Sequence, residues 1–195
     1  MLPKISVIIP AFNAEKTIYV AIKSVLGQTC NAEIEILVID DGSFDNTAEV
    51  VNNIARQNGQ IKLLLNNRKK GPSGARNTGL LKARGDYIAF LDADDLWYDN
   101  HLQEGINFFS LHNDIDIVFF NFDIYKYETN QKIVDWFSIC EFSKRLNIKQ
   151  IDEQYNLILG DLFDALLDES FIHLQSMLVK KEALKGILFN EDIMY

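Results

Sequence analysis

Three carboxylates fall within four residues at Asp92-Ala93-Asp94-Asp95, directly after the apolar run Tyr87-Ile88-Ala89-Phe90-Leu91. Acidic side chains crowded at the end of a buried strand repel one another, so a cap, a cationic partner or a bound cation must compensate. Hard divalent cations take oxygen ligands, and Mg²⁺ in particular bridges one or two carboxylates to phosphate oxygens. Two readings of the cluster stand on this basis: a divalent-cation site, or a strand-end turn in which Asp95 caps the next helix. A second acidic pair, Asp40-Asp41, closes another apolar run, Ile34 to Ile39. The densest positive charge, Arg68-Lys69-Lys70, stands in a loop that leads through Gly71-Pro72-Ser73-Gly74 into a helix from Ser73 to Ala83. A helix start preceded by Gly and Lys suits phosphate oxygens. Arg76 lies in the first turns of that helix, where the dipole disfavours a cation unless an anion is near. The loop is not a P-loop, because no Gly-x-x-x-x-Gly-Lys-Ser/Thr occurs.

The elements that must position these groups follow from hydrophobic periodicity. Ile5 to Ile9 forms a β-branched run stopped by Pro10, and Asn13 is placed to cap a helix from Glu15 to Gln28 whose apolar stripe is Ile18, Ala21, Ile22, Val25 and Leu26. Ile34 to Ile39 is a second strand, Asn46 with Glu49 makes a capping-box start for a helix to Asn58, and Ile61 to Leu65 is a third strand. After the acidic cluster come a helix from Asn100 to Leu111, a long aromatic strand from Ile115 to Tyr125, and a hairpin turn at Glu128 to Gln131 returning through Ile133 to Phe137. Phe142 to Asp168 reads as helical, acidic and irregular, Gln175 to Val179 as a last strand, and Lys181 to Leu184 as a short helix. Strands alternating with helices at this spacing predict an α/β fold with a doubly wound, mostly parallel sheet, followed by an irregular α+β C-terminal half. The change of texture places the boundary near residue 112, giving parts 1–112 and 113–195 of one continuous domain.

Composition narrows the function classes. A formal net charge of −9 over 195 residues excludes a general nucleic-acid binder, whose phosphate partner demands a basic footprint. Cys30 and Cys140 match no metal or redox spacing and are expected as reduced thiols. No run reaches the length of a membrane span, so the expected location is the cytoplasm, with peripheral contact at the inner face of a membrane left open. His101, His112 and His173 lack ligand spacing and are expected as surface or satisfied polar residues.

Four segments now agree: Ser6-Val7-Ile8-Ile9-Pro10-Ala11-Phe12-Asn13, Val38-Ile39-Asp40-Asp41-Gly42-Ser43-Phe44-Asp45-Asn46-Thr47, Gly74-Ala75-Arg76-Asn77-Thr78-Gly79 and Gly85-Asp86-Tyr87-Ile88-Ala89-Phe90-Leu91-Asp92-Ala93-Asp94-Asp95-Leu96-Trp97. In order and spacing they resemble the family 2 glycosyltransferases of the GT-A fold, strongly over residues 4–112. The resemblance implies that Pro10, Phe12 and Glu15 lie where the donor's base and ribose are held. It implies that Asp41 accepts from the base with Asp40 supporting the turn, and that Arg76 and Asn77 face the donor. Asp92, Ala93 and Asp94 match the family's Asp-x-Asp, with Asp94, assisted by Asp92, as ligand of Mn²⁺ or Mg²⁺. The implied partners are a nucleotide-diphospho-sugar, UDP-sugars being favoured, and a saccharide or lipid-linked acceptor hydroxyl in cell-surface polysaccharide synthesis. The family's general base is an Asp or Glu just after a Phe-Asp/Asn-Glu segment. Phe189-Asn190-Glu191-Asp192 resembles that preceding segment, so the base is expected beyond Tyr195, and Glu191 and Asp192 are weak candidates.

Two rivals are open to a sequence of this kind. A nucleotidyltransferase of similar fold would show a glycine-rich basic loop directly after the first strand, where Ala11-Phe12-Asn13-Ala14 stands instead. A sugar-nucleotide-binding fragment would keep the donor site without turnover.

Overall fold

The structure, a computed structural model, describes residues 2–126, 128–141, 146–151, 153, 155–160, 166 and 172–193. They group into two compact units, one made of Met1–Val118 with Met177–Tyr195, the other of Phe119–Ser176.

In the first unit, β1 (Lys4–Ala11), β2 (Glu33–Asp40), β3 (Ile61–Leu65) and β4 (Tyr87–Phe90) form the parallel part of a sheet. Ile5, Val7, Ile8, Ile9, Ile36, Val38, Ile39, Ile88 and Ala89 are wholly or almost wholly buried. A strand covered on both faces requires such a continuous apolar run. Helices α1 (Ile18–Leu26), α2 (Thr47–Ala55), α3 (Pro72–Lys82) and α4 (His101–Leu111) complete the unit. The sheet runs in the order β3-β2-β1-β4 and continues through β10 (Met177–Lys180) to β5 (Ile117–Phe119), with β10 antiparallel to β4. The chain winds outward from β1 to β3 and then starts again on the other side of β1 with β4. That reversal is a topological switch point, and the carboxyl ends of β1, β2 and β4 share one edge there.

Two contacts set the spacing. A Cβ on Gly79 would stand 2.4 Å from Cγ2 of Ile8, so glycine lets α3 lie directly on β1. Glu35, 5% exposed, accepts from the Ser6 hydroxyl and from the Arg84 backbone N–H, both at 2.6 Å, and faces Lys62 Nζ at 3.4 Å. Burial alone would raise its pKa, but the Ser6, Arg84 and Lys62 interactions together outweigh it and hold the carboxyl below its ordinary range. The carboxylate thereby ties β2, β1 and the entry to β4 at one point.

The structure departs from the sequence expectations in several places. Asn13 does not cap α1: it takes a left-handed φ of 49°, and the cap position belongs to Thr17. Asn46 does stand at the cap of α2 but makes no side-chain cap bond; the Thr47 N–H is accepted by Asp45 Oδ1 at 3.0 Å. Asp95 does not cap α4, whose cap position is Asn100. The run from Ile115 to Tyr125 breaks into β5 and β6 (Asp123–Lys126), because Phe120 turns to bond Ser176 O at 3.0 Å. β10 re-enters the central sheet, and the described residues 177–193 group with the first unit.

The second unit contains the expected hairpin, β6 with β7 (Gln131–Asp135), turned at Asn130 with φ 50°. It also holds a short helix α5 (Trp136–Ile139) and a second hairpin, β8 (Asn147–Gln150) with β9 (Asn156–Leu159), where helical structure was expected. The ends of that expected segment, Phe142 and Asp168, lie outside the described residues. Trp136 stacks on Phe122 at 5.3 Å, and His173 meets both rings edge-on at 4.8 and 5.0 Å.

Candidate active site

The Asp92–Asp95 segment leaves β4 in a tight turn, closed by Asp95 N–H donating to Asp92 O at 3.1 Å. Ala93 is buried beneath it, 8% exposed, while Asp94 points to solvent. Arg76 donates from Nη2 to Asp92 Oδ1 at 2.7 Å, with the arginine side chain 12% and the aspartate side chain 33% exposed. The anionic partner expected of a cation early in α3 is therefore Asp92. One arginine does not neutralise three carboxylates. Burial, then the charges of Asp94 and Asp92, push the Asp95 carboxyl up to about 6.

Asp41, just past β2, ties down the loop that follows β3. Its Oδ1 accepts from Asn66 Nδ2 at 2.5 Å and its Oδ2 from the Gly71 N–H at 2.7 Å, while Asn66 Oδ1 accepts from Thr78 at 2.8 Å. Asp40 holds the turn as expected, accepting from both the N–H and the hydroxyl of Ser43 at 3.1 and 2.5 Å. At Gly74 a Cβ would stand 1.9 Å from Lys69 O, so only glycine lets the basic loop fold against the start of α3.

Past the half-buried Pro10 at the end of β1, the loops after β1 and β2 are bonded to each other. Asn13 N–H donates to Ser43 Oγ at 3.0 Å, Phe44 N–H to Asn13 Oδ1 at 2.8 Å, and Ala14 N–H to Thr47 Oγ1 at 2.8 Å. Glu15 accepts through Oε2 from Asn46 N and Nδ2, both at 3.0 Å. Phe12 and Phe44 stand edge-to-face at 5.9 Å, and Lys70 Nζ lies over both rings.

The terminal segment meets α3 through Asn77, which is fully buried. Its Nδ2 donates to Phe189 O at 2.9 Å and to Glu191 Oε1 at 2.7 Å, and its Oδ1 accepts from Phe189 N–H at 2.8 Å. Glu191 also pairs with Arg68, and Asp192 with Lys69 at 2.9 Å. The Asn77 amide and the Arg68 guanidinium hold the Glu191 carboxyl below its ordinary range. Two of the three loop cations are thus spent on the 191–192 carboxylates, and the Asn77 amide is committed to a segment that sequence reasoning did not connect with it.

Among the described residues no three His, Cys, Asp or Glu side chains are arranged to hold a metal ion by themselves. The donor set after β4 does fit a hard divalent cation completed by phosphate oxygens: it is all carboxylate, Arg76 pairs with Asp92, and Asp94 is open. Sequence reasoning gave no individual place to Phe44, Asn66 or Phe189, which the structure sets beside Phe12, Asp41 and Asn77. A large apolar side chain inside the polar turn Gly42-Ser43-Phe44-Asp45 was the available signal for the first of them.

The model of the family described as glycosyl transferase family 2 matches residues 6–166. The chain belongs to that family. An uncharacterized glycosyltransferase of Haemophilus influenzae is 34% identical to this family member over 188 residues, covering 96% of the chain and 66% of the relative. The UDP-Glc:alpha-D-GlcNAc-diphosphoundecaprenol beta-1,3-glucosyltransferase WfgD of Escherichia coli is 47% identical over 120 residues, 62% of the chain and 46% of the relative. The chain therefore spans about half to two thirds of the length of these relatives. Among solved structures, residues 1–349 of S. aureus TarS superpose with a TM-score of 0.72 at 23% identity, covering 98% of this chain and 52% of that one. The Pyrobaculum calidifontis mannosyltransferase PcManGT, solved with GDP-Man and Mn²⁺, gives 0.68 at 19% identity, covering 99% and 49%. At these identities the two superpositions establish the GT-A architecture. No helix among the described residues is long and apolar enough to cross a membrane.

Proposed function

We propose that this chain carries the donor site of a divalent-metal-dependent, inverting glycosyltransferase that passes a sugar from a nucleoside-diphosphate sugar to a saccharide or lipid-linked acceptor hydroxyl. The observation that carries the reading is the acidic turn after β4, only partly compensated by Arg76, at the switch point of a family 2 sheet. Asp94, with the free oxygen of Asp92, would hold Mn²⁺ or Mg²⁺; when bound, the cation supplies charge neutralisation for a diphosphate leaving group. Arg76 fixes Asp92 in place and adds a positive charge beside the same diphosphate, where charge develops as the glycosyl bond breaks. Asp40, Asp41 and Glu15 hold the loops that face the base and ribose. Solved relatives of this fold include S. aureus TarS in complex with UDP and with UDP-GlcNAc, which supports a uridine donor. The names of curated relatives, such as the Campylobacter jejuni GalNAc(5)-diNAcBac-PP-undecaprenol beta-1,3-glucosyltransferase, support a lipid-linked acceptor in surface-polysaccharide assembly, and with it a site of action at the inner face of a membrane.

A single displacement also needs a carboxylate to take the acceptor's proton. Glu191 is a poor acceptor, being held ionised by Arg68 and Asn77, and we assign that role to no described residue. Thermal shift against a panel of nucleotide sugars with and without Mn²⁺ tests the reading. A cognate donor at a hundred times its dissociation constant stabilises by about 2.7 kcal/mol, and a panel without any Mn²⁺-dependent shift removes the donor-site assignment.

A further inference from the structure

Phe44 is 83% exposed and Phe12 beside it 46% exposed, on two loops that hydrogen bonds lock together. Neither ring contributes to the core, yet the backbone that carries them is built with care: Asn13 accepts the left-handed conformation that lets its side chain bond the Phe44 N–H. Lys70 Nζ lies 4.5 Å from the Phe12 centroid and 5.2 Å from that of Phe44. The loop that brings Lys70 there is fixed by Asp41 through Asn66 and Gly71. Arg68 and Lys69 of the same loop already face Glu191 and Asp192.

We propose that Phe44 and Lys70 form a stacking wall and a movable cation of the donor site: the flat base stacks in the corner of Phe44 and Phe12, and Lys70 leaves the rings for the diphosphate. This rests on the donor-site reading above and adds two residues to which that reading gives no role. An ammonium over exposed rings is held weakly, whereas a diphosphate offers charge-assisted hydrogen bonds. The base takes the ring surface that the lysine covers, so seating the base and moving the cation favour each other. Stacking on an aromatic face is tolerant of base identity, which makes Phe44 an affinity element common to uridine and guanosine nucleotides.

Calorimetric titration with UDP, GDP and inorganic pyrophosphate, at fixed Mn²⁺, tests this on the parent, Phe44→Ala and Lys70→Ala. Loss of a base–aromatic stack corresponds to about 5- to 150-fold in affinity. Phe44→Ala is expected to weaken UDP and GDP at least about fivefold and to leave pyrophosphate within about twofold of the parent. Lys70→Ala is expected to weaken all three. UDP binding to Phe44→Ala as tightly as to the parent, or pyrophosphate falling in the same proportion as UDP, overturns the stacking wall. Unchanged pyrophosphate affinity in Lys70→Ala overturns the movable cation. A parent that binds neither nucleotide defeats the donor-site reading itself, and is distinguished because no variant then has affinity to lose. Phe44 is almost wholly solvated, so the alanine variant should melt with the parent, which separates a binding loss from unfolding.

Discussion

Replacing Arg76 by methionine keeps the length and apolar body of the side chain and removes the cation that faces Asp92. Breaking a fully buried ion pair on one side loses about 3–5 kcal/mol. Asp92 keeps a third of its side chain in solvent, which brings the expected loss to about 2 kcal/mol. For a chain of this size each kcal/mol moves the melting temperature by about 2–4 °C, so Arg76→Met should melt about 4–8 °C below the parent in chelator at pH 7.5. The loss has an electrostatic signature. Asp95 is already pushed up to about 6 by burial and by its acidic neighbours, and removing Arg76 leaves the charge of Asp92 uncompensated beside it. The deficit should therefore shrink at pH 5, where Asp95 takes up its proton, and shrink again in millimolar Mn²⁺, which replaces the missing positive charge. Differential scanning calorimetry in chelator, in Mn²⁺ and at the two pH values reads all three effects. A variant that melts with the parent in chelator refutes the pairing argument; a deficit untouched by Mn²⁺ and by pH refutes its electrostatic origin.

Asp94→Asn removes one charge from a self-repelling turn, so it should melt at or slightly above the parent while losing any stabilisation by Mn²⁺; a variant melting far below the parent would make Asp94 a structural residue. His101, stacked on Trp97 at 4.5 Å, has its pKa lowered to about 4 by burial. The unfolded chain protonates it near 6.5 and the folded one only near 4, so stability on its account is full above about pH 6.5 and falls by up to about 3 kcal/mol toward pH 4. Asp95 works in the opposite sense over an overlapping window, because its raised pKa favours the folded state as pH falls. The comparison of parent with His101→Phe isolates the histidine: phenylalanine takes up no proton, so the parent should lose up to about 3 kcal/mol of urea stability relative to the variant as the pH falls from 7 to 4, and a difference constant with pH would contradict the neutral histidine.

The framework was legible because its signals are local. Ile5 to Ile9, Ile34 to Ile39, Ile61 to Leu65 and Tyr87 to Leu91 are apolar runs of strand length, and β3 was placed to the residue. The carboxylates at their ends mark the same edge in sequence as in space. What escaped is what depends on distant partners. Nothing near Met177 says that it pairs antiparallel to β4, and nothing near Asn77 announces Phe189 or Glu191, more than a hundred residues away. Asn13 has the composition of a cap but is drawn into a left-handed turn by Ser43 and Phe44. The three histidines, expected as surface or satisfied polar residues, all pack against rings: Trp97, Phe108 and the Phe122–Trp136 pair.

The most direct measurement of the central claim is the affinity of the chain for UDP by titration calorimetry, once in Mn²⁺ and once in excess chelator. A diphosphate held jointly by Asp94, Asp92 and a cation loses its bridge in chelator, and the expected result is a weakening of about tenfold or more, equivalent to about 1.4 kcal/mol. Equal affinity in the two buffers would contradict the metal-dependent donor site at the end of β4.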